Sequence, residues 1–242
     1  MQSVGESLLD AASTLAPTSA IAAISWRAMP AQPKTSDAEI VSAARTIIER
    51  EGRDFSMAQI AASVGIRGPS LYGRFPDRGA LLAAVEIELW RELQLVLSRA
   101  ARGDEPRERL AAVARAYRAF GKANPKGYAL MYDARAERTK EGHDARAAAY
   151  GAARASFVAL VGEADALLAG RTVTPFLHGF VSMELAGAFR FGSGLDEAFE
   201  FALATILDGL VRGHSSPAAP RPKRRPSKNS RAPKTTKPPG VG

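Results

Sequence analysis

The chain has 242 residues, with 33 Lys and Arg against 25 Asp and Glu, no cysteine, three histidines and 46% hydrophobic residues. That is enough apolar material for a buried core, while the lack of cysteine excludes a disulfide framework, a thiolate zinc site and a cysteine nucleophile. His143, His178 and His214 are too few and too scattered for a histidine metal cluster, so neither a metal nor a cofactor is expected, and the net charge of +8 has meaning only once it is located along the chain.

Residues 1–34 are rich in Ala, Ser, Thr and Pro, with Leu8, Leu9, Ile21, Ile24 and Trp26 scattered among them. A secretory signal needs positive charge ahead of its apolar stretch. Here the first charges are Glu6 and Asp10, and no Lys or Arg precedes Arg27, so a cytoplasmic protein is expected. No run approaches the roughly 20 apolar residues of a membrane span, and no membrane partner is expected. Met29 offers a second possible start, and residues 1–34 are read as a disordered or untranslated arm.

From Ser36 to Arg212 the pattern is all-α: Ala, Leu, Arg and Glu dominate, and no alternating β-branched stretch occurs. Ser36-Asp37-Ala38-Glu39 has the form of a capping box, so a helix starts there, with Ile40, Ala44, Ile47 and Ile48 on one face and Gly52 as its stop. Ser56-Met57-Ala58-Gln59 repeats that form. Ile60, Ala61 and Val64 give this second helix a buried side, and Gly65 ends it after barely two turns. Pro69 is placed for the first turn of a third short helix carrying Ser70, Leu71, Tyr72, Gly73, Arg74 and Phe75. Two short helices joined by a tight turn at Gly65-Ile66 make a helix-turn-helix, whose second member enters a DNA major groove by its N-terminal end.

Ser56 to Phe75, S-M-A-Q-I-A-A-S-V-G-I-R-G-P-S-L-Y-G-R-F, followed by P-D-R-G-A-L-L, resembles the DNA-binding domain of TetR-family transcriptional regulators. The resemblance covers Thr35 to about Leu93 and rests on Ile60-Ala61, Val64-Gly65-Ile66, Leu71-Tyr72, Phe75, Arg78 and Leu81-Leu82. It implies a three-helix DNA-binding head, residues 35–93 with the helix-turn-helix at 56–75, on a larger helical domain, residues 94–213, that dimerises and holds a small-molecule pocket. Pro175-Phe176-Leu177-His178-Gly179 is similar to the signature of a subgroup with a tryptophan close before His-Gly, a position that Phe176 takes here.

Side-chain chemistry assigns roles in DNA contact. Ser56 and Gln59 cap the second helix, where free N–H groups and the helix dipole suit a phosphate oxygen. Arg67 and Ser70 sit at the entrance to the third helix and are the candidates for base edges, with Gly68 beside them. Tyr72 and Arg74 match family positions that contact the backbone, and Arg78 takes the slot usually held by a phosphate-gripping lysine. As plain alternatives, Tyr72 is a packing aromatic and Arg74 a solvated charge. Gly73 departs from the family pattern, since no side chain reaches toward the groove, so readout falls on few residues.

Leu82, Val85, Leu89, Leu93, Val96 and Leu97 share a face, so a fourth helix runs from the head into the second domain. Further helices are expected over about 106–122, 142–168, 172–191 and 195–212, with breaks at Asn124-Pro125, Gly170 and Gly192-Ser193-Gly194. The last two are apolar nearly all round and, by resemblance, form a two-fold dimer interface that matches a palindromic operator. Tyr117, Phe120, Tyr128, Met131, Tyr132, Phe157, Phe176, His178 and Met183 are candidates for a ligand pocket, and the same residues would serve as helical core.

Beyond His214 come eight basic residues, Arg221, Lys223, Arg224, Arg225, Lys228, Arg231, Lys234 and Lys237, with no acid and seven of the 15 prolines. Residues 1–213 therefore carry 25 charges of each sign, and 214–242 read as a disordered basic tail. The function expected is a homodimeric repressor released from a palindromic operator by an unknown small-molecule effector. A DNA-packaging protein that uses its tail and has no effector is the alternative. An enzyme lacks support, because His178 and Glu184 face different sides of their helix and no nucleophile stands with them.

Overall fold

Ser36 and Ser56 each close a capping box of the expected kind. The Ser36 Oγ accepts from Glu39 N at 3.2 Å while Ser36 N donates to the Glu39 carboxylate at 2.6 Å, and the Ser56–Gln59 pair repeats this at 3.1 and 2.6 Å. In the computed structural model, which describes residues 35–133, 139–192 and 194–215, these caps open α1 (Asp37–Glu51) and α2 (Met57–Ser63). The expectations for the N-terminal arm and for the tail past Ser215 lie outside the described residues. α3 (Gly68–Tyr72) follows after Gly65, whose φ of +69° makes the reversal that a side chain would strain.

Ile40, Ile48, Ile60 and Leu71 are fully buried where α1, α2 and α3 meet, and Phe75 closes the base of that core. Asp77 accepts from Ala80 N at 2.7 Å and opens α4 (Arg78–Ala100), which buries Leu81, Val85, Leu89, Trp90, Leu93 and Leu97 along one stripe. α4 packs on α1 at its start and on α5 (Pro106–Ala123) and α7 (Lys140–Leu185) further along, so one rigid helix joins the head to the rest.

Among the described residues there are eight helices and no strand, as the composition requires. Three boundaries differ from expectation. Asn124-Pro125 does interrupt the chain, but Pro125 also starts a further short helix, α6 (Pro125–Met131). The break expected at Gly170 lies instead at Gly162, with φ +72° and ψ 167°. Phe157 reaches within 3.8 Å of where a Cβ on Gly170 would stand, although the two are 13 residues apart and a straight helix would separate them by about 20 Å. The chain therefore folds back at Gly162, which gives α7 two arms and buries Phe157 and Val161 together with Ala166, Ala169 and Val173. The second arm stops at Leu185, not Phe191, because Gly187 turns the chain with φ +61°. α8 (Leu195–Ser215) then packs Phe199, Leu203 and Leu207 against α7 and α5.

Candidate nucleic-acid interface and effector cavity

Leu71 and Phe75 anchor α3 from below, and everything else on it faces solvent. Arg67, at the helix N-cap with extended backbone, is exposed, and its side chain has no hydrogen bond or ion pair among the described residues. Ser70 is exposed one turn on, and Tyr72 is 52% exposed. No atom lies within 4 Å of a Cβ built on Gly68, so the backbone there is open to a close approach. Gly73 has helical φ of −65°, and a Cβ on it would meet Pro69 O at 3.5 Å and Ser70 O at 3.7 Å, both ordinary contacts.

The remaining candidates are more committed. The oxygens of Ser56 and Gln59 are engaged in each other's cap, and the Gln59 amide donates to Glu51 at 3.2 Å. Arg74 does not point outward as a free cation: its guanidinium donates to Thr35 O at 2.6 Å and pairs with Asp37 at 3.4 Å, tying the end of α3 to the start of α1. Arg78 is exposed at the first residue of α4, over the Phe55 ring at 5.9 Å.

A polar strap joins the head to α6. The Asn124 side chain does not cap α6; the Glu49 carboxylate of α1 does, accepting from Lys126 N at 3.2 Å and Gly127 N at 2.6 Å. A carboxylate at a helix N-terminus satisfies orphan donors and opposes the helix dipole. Around it Arg45 donates to Asn124 at 2.6 Å, the Lys126 ammonium bonds Arg50 O, and Arg53 pairs with Asp133.

α6 carries this strap into the second domain's core. The Tyr117 hydroxyl sits 2.8 Å from that of Tyr128 and 2.7 Å from that of Tyr132, and Tyr128 in turn lies 2.8 Å from His178 Nδ1. Burial pushes all three hydroxyls up, Tyr128 to about 12, and burial lowers His178, so the chain is neutral at ordinary pH. The Tyr132 ring also packs edge-on against Trp90 at 5.5 Å and lies 4.0 Å from the His178 ring.

Beside this network lies a small apolar cavity of about 30 Å³, bounded by Trp90, Leu93, Leu110, Tyr117, Tyr150 and Phe157 among others. An open groove of about 740 Å³ lies between the two arms of α7 and shares Tyr150, Ala153, Phe157 and Thr174 with it. Of the expected pocket residues, Tyr117 and Phe157 line the inner cavity. Phe120, Tyr128 and Met131 are buried core, Phe176 stacks on Phe199 at 5.9 Å, and His178 is bonded to Tyr128. Met183 lines neither space and is 47% exposed, because it lies on the outer side of α7. Trp90, Tyr150 and Thr174 were not singled out by sequence; Trp90 continues the α4 stripe three residues before Leu93, and nothing local marks the other two.

Two regions of the chain match described families: residues 40–85 match "Bacterial regulatory proteins, tetR family", and residues 110–206 match "Tetracyclin repressor-like, C-terminal domain". A helix-turn-helix-type transcriptional regulator of Mycobacterium tuberculosis is 31% identical over 185 residues, which cover 74% of this chain and 83% of the relative. Among solved structures, a protein of unknown function from Rhodococcus sp. RHA1 superposes with a TM-score of 0.65 at 25% identity, covering 76% of this chain and 99% of its own. TetR-Q116A from Acinetobacter baumannii AYE, in complex with minocycline, gives 0.57 at 22% identity, with 75% and 99% covered. BioQ with its double-stranded DNA operator gives 0.52 at 24%, with 74% and 99% covered, and at that identity these last two speak to the fold alone.

Proposed function

This chain belongs to the TetR family of transcriptional regulators and binds DNA, and we propose that it acts as a homodimeric repressor that a small molecule releases from a palindromic operator. In this reading residues 35–93 read DNA and residues 94–213 dimerise and bind the effector. The observation that carries it is α3, anchored by Leu71 and Phe75 while Arg67, Ser70 and Tyr72 stand exposed. Arg67 takes the guanine acceptors, Ser70 and Tyr72 add adaptable contacts, and the Gly68 and Gly73 backbone lets DNA close in. Arg78 holds phosphate at the start of α4, the Ser56–Gln59 cap orders the start of α2 beside it, and Arg74 acts by fixing the pose of α3.

The dimer reading is supported by an apolar face left open on the last two helices. Leu168, Thr172, Gly179 and Met183 recur at helical spacing on the second arm of α7, and Ala198, Phe201, Thr205 and Gly209 do so on α8. Phe201 is 76% exposed and Leu168 54%. A second copy related by a two-fold axis covers such a face and sets two heads about one DNA turn, roughly 34 Å, or a multiple apart.

Release follows from the route through α6. A molecule that enters beside Tyr117 and Trp90 presses on the tyrosine network and on α4, and Glu49 ties the start of α6 to α1 of the head. A differential affinity of about 1–3 kcal/mol between the two head spacings changes operator affinity roughly 5–150-fold.

Selection of bound sites from random duplex DNA tests the reading. The expected result is a palindrome, with Arg67→Ala relaxing one base position in each half and Arg78→Ala weakening all duplexes alike. Equal loss on selected and random duplexes for Arg67→Ala refutes its assignment, and no enriched site at all favours a packaging protein.

A further inference from the structure

We propose that the effector is an apolar monocarboxylate, with its body in the groove between the arms of α7, its tip in the inner cavity and its carboxylate on Arg171. The proposal rests on the reading above that the second domain answers a small molecule, and it names that molecule's class.

The groove has the volume of a small-molecule site, which runs from about 300 to 1,000 Å³, and the buried part of its lining, Ala153, Phe157 and Ala166, is apolar. Three charges stand in its wall. Arg154 and Glu163 pair with each other across the fold-back at Gly162, whereas Arg171 has no ion-pair or hydrogen-bond partner among the described residues. The groove therefore carries one positive charge at its rim that no acid of its wall pairs, and an anionic group is the complement it favours.

The inner end cannot take that anion. Its wall is carbon apart from the hydroxyls of Tyr117, Tyr150 and Thr174 and the indole N–H of Trp90; the Tyr117 hydroxyl is engaged by both Tyr128 and Tyr132, and the Trp90 N–H donates to Glu86 at 3.0 Å. A carboxylate carried inside would be buried without a partner, at a cost far above any binding gain. The space there, about 30 Å³, is small and its lining almost wholly apolar, so it suits a methyl end or a ring edge. Tyr150 and Phe157 belong to both spaces, and a molecule that fills the groove reaches Trp90, Leu93 and Leu97 of α4 by displacing them. The polar group and the apolar body are thus recognised at opposite ends. The body, not the charge, presses on the helix that leads to the head.

The test uses the full chain with Trp26→Phe, which leaves Trp90 as its only tryptophan. Decanoate and hexadecanoate, held below micelle formation, are titrated against Trp90 fluorescence beside decanol and hexadecanol. The acids are expected to bind at least tenfold tighter than the alcohols. Arg171→Gln is expected to remove that preference about tenfold, and Ala153→Phe, checked for a cooperative thermal transition, to abolish binding of both. Arg171 is exposed, so its replacement does not put folding at stake. Alcohols that bind as well as acids, or a preference that survives Arg171→Gln, overturn the proposal. Acids that leave Trp90 unchanged also overturn it; if another compound class then still releases the selected operator, the effector-responsive reading stands, and if none does, that reading falls with it.

Discussion

The hydroxyls of Tyr117, Tyr128 and Tyr132 are expected to make stability fall steeply above pH 10. In the unfolded chain each ionises near the ordinary value of about 10. In the fold burial holds them neutral to higher pH, Tyr128 to about 12 and the other two beyond it. Above pH 10 the unfolded chain therefore binds fewer protons than the native one, and the free energy of unfolding falls as pH rises; below that value these groups contribute no pH dependence. Each contributes at most about 1.4 kcal/mol per pH unit, so three give about 4 kcal/mol per unit between about pH 10 and 12. A domain of about 5–15 kcal/mol would lose most of that within two units. Tyr117→Phe keeps the ring and removes the hydroxyl shared by Tyr128 and Tyr132. It should cost about 1–2 kcal/mol at neutral pH and cut the alkaline slope by about a third. Urea midpoints followed by circular dichroism across that range, with tyrosinate absorbance recorded in parallel, measure both. Tyrosine absorbance that rises fully near pH 10 while the protein stays folded, or an unchanged slope in Tyr117→Phe, would refute the reasoning.

Arg118 donates two hydrogen bonds of 2.7 Å to Glu184, pairs with Asp196 and lies 4.7 Å from the Phe199 ring centre, so Arg118→Ala should cost about 3 kcal/mol in urea unfolding and Arg118→Lys most of that. The same arginine, with Lys122 at 3.1 Å, holds the Glu184 carboxyl below its usual range; that contribution is complete above about pH 4.5 and lost as pH falls through the folded value, a dependence Arg118→Ala should weaken while Lys122 keeps the remainder. Gly73→Ala fits helical backbone and meets only ordinary contacts, so the melting temperature should rise with a gain of up to about 1 kcal/mol; a fall would show that α3 needs glycine there. Glu49→Ala strips both N–H partners from the start of α6 and should cost about 2 kcal/mol; if the strap carries the signal, the ratio of operator affinities with and without effector should also move toward one, measured by fluorescence anisotropy. Phe201→Glu puts a charge on the open face of α8, and sedimentation should report a monomer; an unchanged mass would place the dimer contact elsewhere.

Helix starts were legible in the sequence because their causes are local. Ser36 and Ser56 bond to residues three positions on, so four letters of sequence contain the whole device. The helix-turn-helix was legible for a related reason: Gly65, Leu71 and Phe75 fix one tight turn and one anchored helix within twenty residues. The fold-back of α7 was not. Gly162 and Gly170 sit in similar Ala- and Leu-rich surroundings, and the choice is made by which reversal brings Phe157 onto Ala166 and Gly170, a contact no window of sequence contains. Likewise the cap of α6 is Glu49, 76 residues before Pro125. The exposure of Met183 was not legible either, because an apolar helix with two buried sides looks the same whether its second partner is its own chain or another copy.

The charge of +8 is the case where position overturns the count. Residues 35–93 hold seven basic residues against nine acidic ones, so the DNA-reading head is slightly acidic. Most of those acids are occupied within the fold: Glu88 and Glu92 with Arg45, Glu86 with Arg146, Asp37 with Arg74, and Glu49 on α6. Arg67 and Arg78 are the exposed cations at the starts of α3 and α4 with no ion-pair partner among the described residues. Since charges are screened over about 8 Å at physiological salt, a phosphate meets these two and not the head's average. Affinity from the head alone must then come from few contacts, each adding about 0.9 to the salt dependence. The eight-cation excess past His214 lies outside the described residues, and in the proposed reading the choice among duplexes stays with α3.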